Sequence, residues 1–221
     1  MIDEVWLVRH GVTASNAGRI IQGHTDTPLA PEGEAQARRL GAHLAGLGVA
    51  FDAFESSDLL RARRTAELVA EPLDLGQPRT DPRWREASYG ELEGRPGAEL
   101  GPLRALPEAE SAATAPTGGE SLLTMQARVV AAFDERTTVG AGRLLLVTHG
   151  GPIAALVCHV LRVPYGPRAA YRFRRDNTGV TIVRRSRSEP DAWRLATLNA
   201  VDHLRAPDAA SSVHQDRRGD A

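Results

Sequence analysis

Two short stretches of the chain end alike: Leu7-Val8-Arg9-His10-Gly11 and Leu146-Val147-Thr148-His149-Gly150. Each is an apolar run closed by a histidine and a glycine. Imidazole is substantially neutral near pH 7 and carries a lone pair, so a histidine at a strand end can attack phosphorus. The adjacent Arg9 offers a planar fork of N–H donors that matches phosphate oxygens, and Gly11 is expected to let the backbone approach the anion. His149 and Gly150 stand between a strand and a helix. The open N–H groups and helix dipole there suit an anion, and Thr148 could donate as well. The repeated pair predicts that both histidines face one phosphate group.

Two further segments carry candidate groups. In "SSDLLRARRTAE", Asp58 reads as a helix N-cap. Arg61, three residues on, is expected to project back over the sheet from the first turn, with Arg63 and Arg64 on a solvated face. In "REASYGELEG" a carboxyl is available to protonate a leaving oxygen. Glu86 and Glu91 compete for that role, with Glu93 behind them, and residue types alone do not choose. Trp84 and Tyr89 flank Glu86 and fit either an apolar mouth or the core.

These groups need a scaffold. "VWLVRH" and "RLLLVTHGG" read as strands buried on both faces, as in a parallel sheet. A long polar loop follows the first strand. Pro31 then opens a helix with Ala37, Leu40, Leu44 and Leu47 on its apolar face and Gly48 at its exit. "FDAFESS" is a short strand, and the Asp58 segment is the helix after it. Residues 95–118, rich in Pro, Ala and Glu, read as an inserted loop or lid. "GGESLLTMQARVVAAFDERT" is a helix with Glu120 as a first-turn acid, and "GPIAALVCHVLRV" is an apolar helix. "AAYRFRR", "TGVTIVRRS" and "AWRLATLNA" alternate like half-exposed strands, and "NTGV" reads as a turn. Strand and helix alternation predicts a parallel sheet covered on both faces, with ligands beyond the carboxyl ends of its strands. A single domain over 1–206 is expected, with 207–221 as a disordered tail.

Composition narrows the function. The 221 residues carry a net charge of −1, so no global field attracts nucleic acid or an anionic membrane. All 27 basic side chains are arginine, so phosphate must be held by Arg, His or backbone N–H. The late arginines Arg168, Arg172, Arg174, Arg175, Arg184, Arg185 and Arg187 read as edge-strand charges that block unwanted pairing. The single cysteine, Cys158, lies in an apolar segment and reads as a packing thiol. No spacing suggests a metal site. The acidic N-terminus and the absence of long apolar runs suggest a cytoplasmic protein. An exposed edge strand leaves a homodimer open.

The strings "LVRHGVTASN", "IQGHTDTPLAPEGEAQA", "SSDLLRARRTAE", "REASYGELEG", "GGES", "LLLVTHGGPI" and "WRLATLNAVDHL", in this order, resemble the histidine phosphatase superfamily, also called phosphoglycerate mutase-like. The resemblance implies a three-layer α/β/α sandwich with a mostly parallel central sheet. It also implies covalent phosphohistidine chemistry without metal or cofactor on a small phosphate ester. By motif, His10 matches the nucleophile, Arg9 its phosphate-binding partner and Arg61 a second one. Glu86 matches the acid/base, and His149 matches the histidine that steadies the transferring phosphoryl group. Asn16 matches a phosphate-holding asparagine, and Gln22 and Gly23 a loop bordering the substrate. Phosphomonoester hydrolysis is the expected activity. Mutase-type transfer is the alternative, disfavoured because 95–118 holds only Arg95 and Arg104 as basic groups. A non-catalytic phosphate-binding protein on the same fold is the other alternative.

Overall fold

Strand β1 (Ile2–Arg9) is apolar on both faces because both are covered. Val5 and Leu7 pack with residues of helices α6 (Leu122–Thr138) and α7 (Gly150–Leu161) in one core. Trp6 and Val8 pack with α2 (Pro31–Gly46) and α3 (Leu60–Ala70) in a second, and the single-turn α1 (Ala14–Ala17) lies between β1 and α2 in the chain. The period-two alternation of a strand therefore feeds two cores, and the chain forms three layers. The computed structural model describes residues 1–139, 141–166, 173–189 and 192–205. Among them, no helix is long and apolar enough to cross a membrane.

Among the described residues the sheet has six strands, in the order β3-β2-β4-β1-β5-β6. They are β2 (Ala53–Ser56), β3 (Arg79–Thr80), β4 (Gly142–Thr148), β5 (Val180–Arg185) and β6 (Trp193–Ala200) around β1. Strands β1 to β4 run parallel, while β5 and β6 are antiparallel. The sheet is thus mostly parallel. In the β1–β4 register Arg9 stands opposite Thr148, so the residues that follow, His10 and His149, leave adjacent strand ends on the same side of the sheet.

Several local expectations need correction. Leu47 is exposed, because α2 ends at Gly46. The N-cap of α3 is Leu59, without a side-chain bond. Asp58 instead pairs with Arg85 through two bonds of 2.7 and 2.5 Å. Glu120 precedes α6, whose N-cap is Ser121, accepting from the Thr124 N–H. Strand β5 is buried over its first four residues rather than half-exposed, since it lies between β1 and β6. Only β6, at the edge, alternates as expected. Of "AAYRFRR", residues 169–172 lie outside the described residues, and Phe173–Arg175 are not in a strand. Arg168 and the tail also lie outside them. Segment 95–118 contains the short helices α4 (Gly101–Ala105) and α5 (Glu108–Ala113).

Arg184 and Arg185 do not sit on an edge. Arg184 pairs with Glu4 at 2.5 Å, and Arg185 lies 4.7 Å over the Trp193 ring. Cys158 is buried in α7.

Candidate active site

The register of β1 and β4 brings the two imidazoles together, with ring centroids 5.2 Å apart and planes tilted by 58°. The His10 backbone N–H donates to Thr148 O at 2.9 Å, locking the strand ends. His10 Nδ1 lies 2.7 Å from the Gly11 carbonyl. A carbonyl only accepts, so Nδ1 carries the proton and Nε2 keeps its lone pair. Gly11 packs tightly against α2. A Cβ there would stand 2.5 Å from Gly33 O, so the glycine permits close contact with the start of α2.

His149 Nε2 lies 2.9 Å from Ser57 Oγ, and its Nδ1 has no partner. Arg61, fully buried in the first turn of α3, donates through Nη1 to Thr25 O at 2.8 Å and through Nη2 to Gly23 O at 2.7 Å. Arg9 donates through Nη1 to Arg175 O at 2.5 Å. Neither Arg9 Nε nor Arg61 Nε has a partner. Among the described residues, these two nitrogens and His149 Nδ1 are the only buried side-chain polar atoms left unpaired.

The electrostatics follow from that enclosure. Burial, then the charges of Arg9 and Arg61, hold His10 well below the ordinary imidazole range. Burial, then Arg61 and His10, do the same for His149. Both rings are therefore neutral at pH 7.

Glu86 sits at the N-terminus of α7, where its two oxygens accept from Gly151 N–H at 3.1 and 3.0 Å. A Cβ on Gly151 would lie 2.0 Å from Glu86 Oε1, so this approach requires glycine. A methyl placed on Gly150 would lie 3.7 Å from Arg9 Nε and 3.9 Å from Glu86 Oε2, so both reach one point above that residue. Glu91 and Glu93, the other carboxylates of this segment, have different surroundings. Glu91 is exposed, and Glu93 holds the 23–25 loop through His24 N–H and Thr25 Oγ1.

The remaining expected residues lie nearby with other partners. Asn16 accepts through Oδ1 from Thr13 N–H at 3.1 Å and from Asn177 Nδ2 at 3.3 Å. Gln22 accepts from Thr13 Oγ1. Gly23 faces the site through its carbonyl, on Arg61. Thr148 is not a free donor, since its hydroxyl binds Trp84 O at 2.6 Å. Arg63 and Arg64 pair with Glu67, and Arg64 also with Glu34. Trp84 is core, while Tyr89 lines a cavity beside Glu86.

Sequence reasoning missed four groups. Ser57 fixes His149, and its signal lay in the "SSD" string. His24 Nε2 binds the Glu86 carbonyl at 2.9 Å. Arg128, on α6, donates to the carbonyls of Arg83, Arg85 and Glu86 at 2.9, 2.8 and 2.8 Å. Nothing near Arg128 in the chain marks it. Arg175, read as an edge charge, lines the same cavity as Glu86 and donates to Gly150 O at 3.3 Å.

Known proteins resemble this chain over most of its length. A family model described as the histidine phosphatase superfamily (branch 1) matches residues 5–200. The probable phosphoglycerate mutase GpmB of Salmonella paratyphi B is 36% identical over 210 residues, covering 92% of this chain and 96% of that protein. A mycobacterial glucosyl-3-phosphoglycerate phosphatase, solved in complex with VO3, superposes with a TM-score of 0.72 at 30% identity. It covers 90% of this chain and 99% of its own. A putative alpha-ribazole-5'-P phosphatase from Escherichia coli superposes at 0.73 with 29% identity, covering 91% and 98%.

Proposed function

The chain belongs to the histidine phosphatase superfamily, branch 1, and from that premise we propose that it hydrolyses small phosphomonoesters through a covalent phosphohistidine on His10, without a metal ion. The observation that carries this reading is the trio of unpaired buried nitrogens, Arg9 Nε, Arg61 Nε and His149 Nδ1. Leaving a buried polar group unpaired costs about 1–3 kcal/mol, more when it is charged, and native structures explain such groups one by one. Three of them beside a histidine lone pair are explained together by a phosphoryl group. Asn16 and the first N–H groups of α7, at Gly150, add donors for its oxygens. Two guanidinium groups supply the positive charge that the spreading oxygens of the transition state need.

The reaction runs in two halves. His10 Nε2 attacks phosphorus as the ester P–O bond breaks, and protonated Glu86 gives its proton to the departing oxygen. The Gly11 carbonyl holds the Nδ1 proton and steadies the charge that grows on the ring. Water then attacks phosphorus, the P–N bond breaks, and the Glu86 carboxylate takes the water's proton. Ser57 donates to His149 Nε2, which leaves His149 Nδ1–H aimed at the phosphoryl oxygens.

Hydrolysis rather than mutase transfer is supported by the scarcity of basic groups in segment 95–118. Arg95 pairs with Glu99, and of the two arginines in 95–118 only Arg104 lines the cavity beside Glu86. We read the protein as cytoplasmic and its partner as a small phosphate ester rather than nucleic acid, in line with its net charge of −1. The edge strand β6 is where a second copy would pair in a homodimer.

Turnover of p-nitrophenyl phosphate in excess chelator tests the proposal. It should proceed in the native protein and vanish in His10→Ala. Turnover that survives this substitution, or that requires a divalent cation, contradicts it.

A further inference from the structure

A cavity of about 520 Å³ opens beside the site. It shares Arg9, Glu86, Gly150 and Gly151 with the catalytic region but is not lined by His10, Arg61 or His149. Its position therefore gives its content. Phosphate belongs to the histidines and guanidinium groups. The space beyond Glu86, which protonates the departing oxygen, belongs to the leaving alcohol.

The walls of this space are built for something large and flat. Tyr89, Tyr165 and Phe173 supply aromatic faces, and Leu100, Leu103 and Ala154 supply aliphatic ones. The volume falls in the range of about 300–1,000 Å³ that holds whole metabolites. Burial pushes the Tyr89 and Tyr165 phenols up, so both rings present neutral faces. Polar side chains line the cavity as well, Arg9, Glu86, Glu120 and Arg175 among them, so the space suits a group with both an apolar and a polar side. Ser111 and Thr114 come from α5 and its exit, and Arg104 from α4 forms no ion pair among the described residues. A three-carbon leaving group would leave most of the volume to water against leucine and aromatic surface, which is unfavourable.

Resting on the hydrolase reading above, we propose that the substrate's leaving alcohol is a bulky, amphipathic, ring-bearing group held by Tyr89, Leu103 and Tyr165, rather than a three-carbon acid. The segment 97–113 then acts as a specificity wall over Glu86.

The test compares two esters with similar leaving-group acidity, 2-(1-naphthyl)ethyl phosphate and ethyl phosphate, with 3-phosphoglycerate as a third arm. The naphthyl ester should have the higher kcat/KM by at least about tenfold, in line with apolar-pocket discrimination, and 3-phosphoglycerate should resemble ethyl phosphate. Leu103→Asp should collapse that ratio toward one. As a readout that needs no variant, 2-(1-naphthyl)ethanol should inhibit p-nitrophenyl phosphate turnover competitively, and ethanol at equal concentration should not. Equal kcat/KM for the two alkyl esters, a preference for 3-phosphoglycerate, or no inhibition by the naphthyl alcohol overturns the proposal while leaving the hydrolase reading standing. Absence of turnover with every ester overturns the hydrolase reading instead. Binding of the naphthyl alcohol, followed by calorimetry, then still decides whether the cavity takes a ring.

Discussion

The imidazoles of His10 and His149 face each other at 5.2 Å because β1 and β4 are parallel neighbours with Arg9 in register with Thr148. Each histidine is the first residue beyond its strand, so backbone pairing fixes their separation more firmly than side-chain packing could. Two buried guanidinium groups, each with a free Nε, close the space around them. The chemistry proposed for the site depends on that convergence.

Arg61 is expected to act on the transition state more than on the substrate. Two carbonyls of the 23–25 loop fix its head group, and its Nε is left to the phosphoryl oxygens. Arg61→Ala should lower kcat by on the order of a hundredfold or more, the loss typical of one preorganised donor. Single-turnover kinetics with p-nitrophenyl phosphate measure it. A change confined to KM would place the residue in ground-state binding only.

Glu86→Gln keeps the shape at the α7 N-terminus but removes the proton donor. Alkyl phosphates, which leave as strong bases, should lose far more rate than p-nitrophenyl phosphate, whose leaving group needs little protonation. Plotting log kcat/KM against leaving-group pKa for the variant reads this directly. An equal loss across the series would assign the leaving-group proton to another group.

Arg128 is expected to be a positioning residue. It ties down the carbonyls of Arg83, Arg85 and Glu86, and Glu120 holds its other side. Arg128→Gln should steepen the dependence on leaving-group pKa, as Glu86 loses its fixed place. The inhibition constant of vanadate, which reports the phosphate donors, should change little. Arg128→Lys should restore part of the alkyl-ester rate. Loss of vanadate affinity in parallel with rate would show general collapse of the site instead.

Acid should weaken the fold before the carboxylates titrate. His10 and His149 are held well below the ordinary imidazole range, chiefly by burial, and burial with the nearby His43 pushes His203 down to about 4. Unfolded, each would titrate near about 6.5. Below that pH the unfolded chain takes up protons that the folded chain refuses, so stability is full above about 6.5 and falls as pH drops toward the folded values. Tm measured from about pH 7.5 to 5 should decline, and His10→Asn should make the decline shallower. A Tm that stays level or rises on acidification contradicts the burial of neutral imidazoles.

Much of this site was legible in the chain. His10 and His149 announced themselves by closing two buried apolar runs, and their strands were readable because both faces are covered. Arg61 and Glu86 were legible only through the order of surrounding motifs, since Glu91 and Glu93 are the same residue type a few positions on. What sequence could not give were partners set by tertiary distance. Asp58 has the chemistry of an N-cap, but Arg85 arrives from another loop and takes its carboxylate. Thr148 has a hydroxyl for an anion, but the Trp84 carbonyl reaches it first. Arg128 reaches the Glu86 carbonyl from another helix, with no local signal. Arg184 and Arg185 looked like edge charges because strand order cannot be read from alternation, and β5 proved to be an inner strand.

The most direct measurement is rapid acid-free quenching of the protein during turnover of a radiolabelled phosphomonoester, followed by mapping of the bound label. The label should be stable in base and labile in acid, reside on His10, and disappear in His10→Ala while persisting longer in Glu86→Gln. Steady turnover with no covalent label, or a label on any other residue, would contradict a phosphoryl group passing through this imidazole.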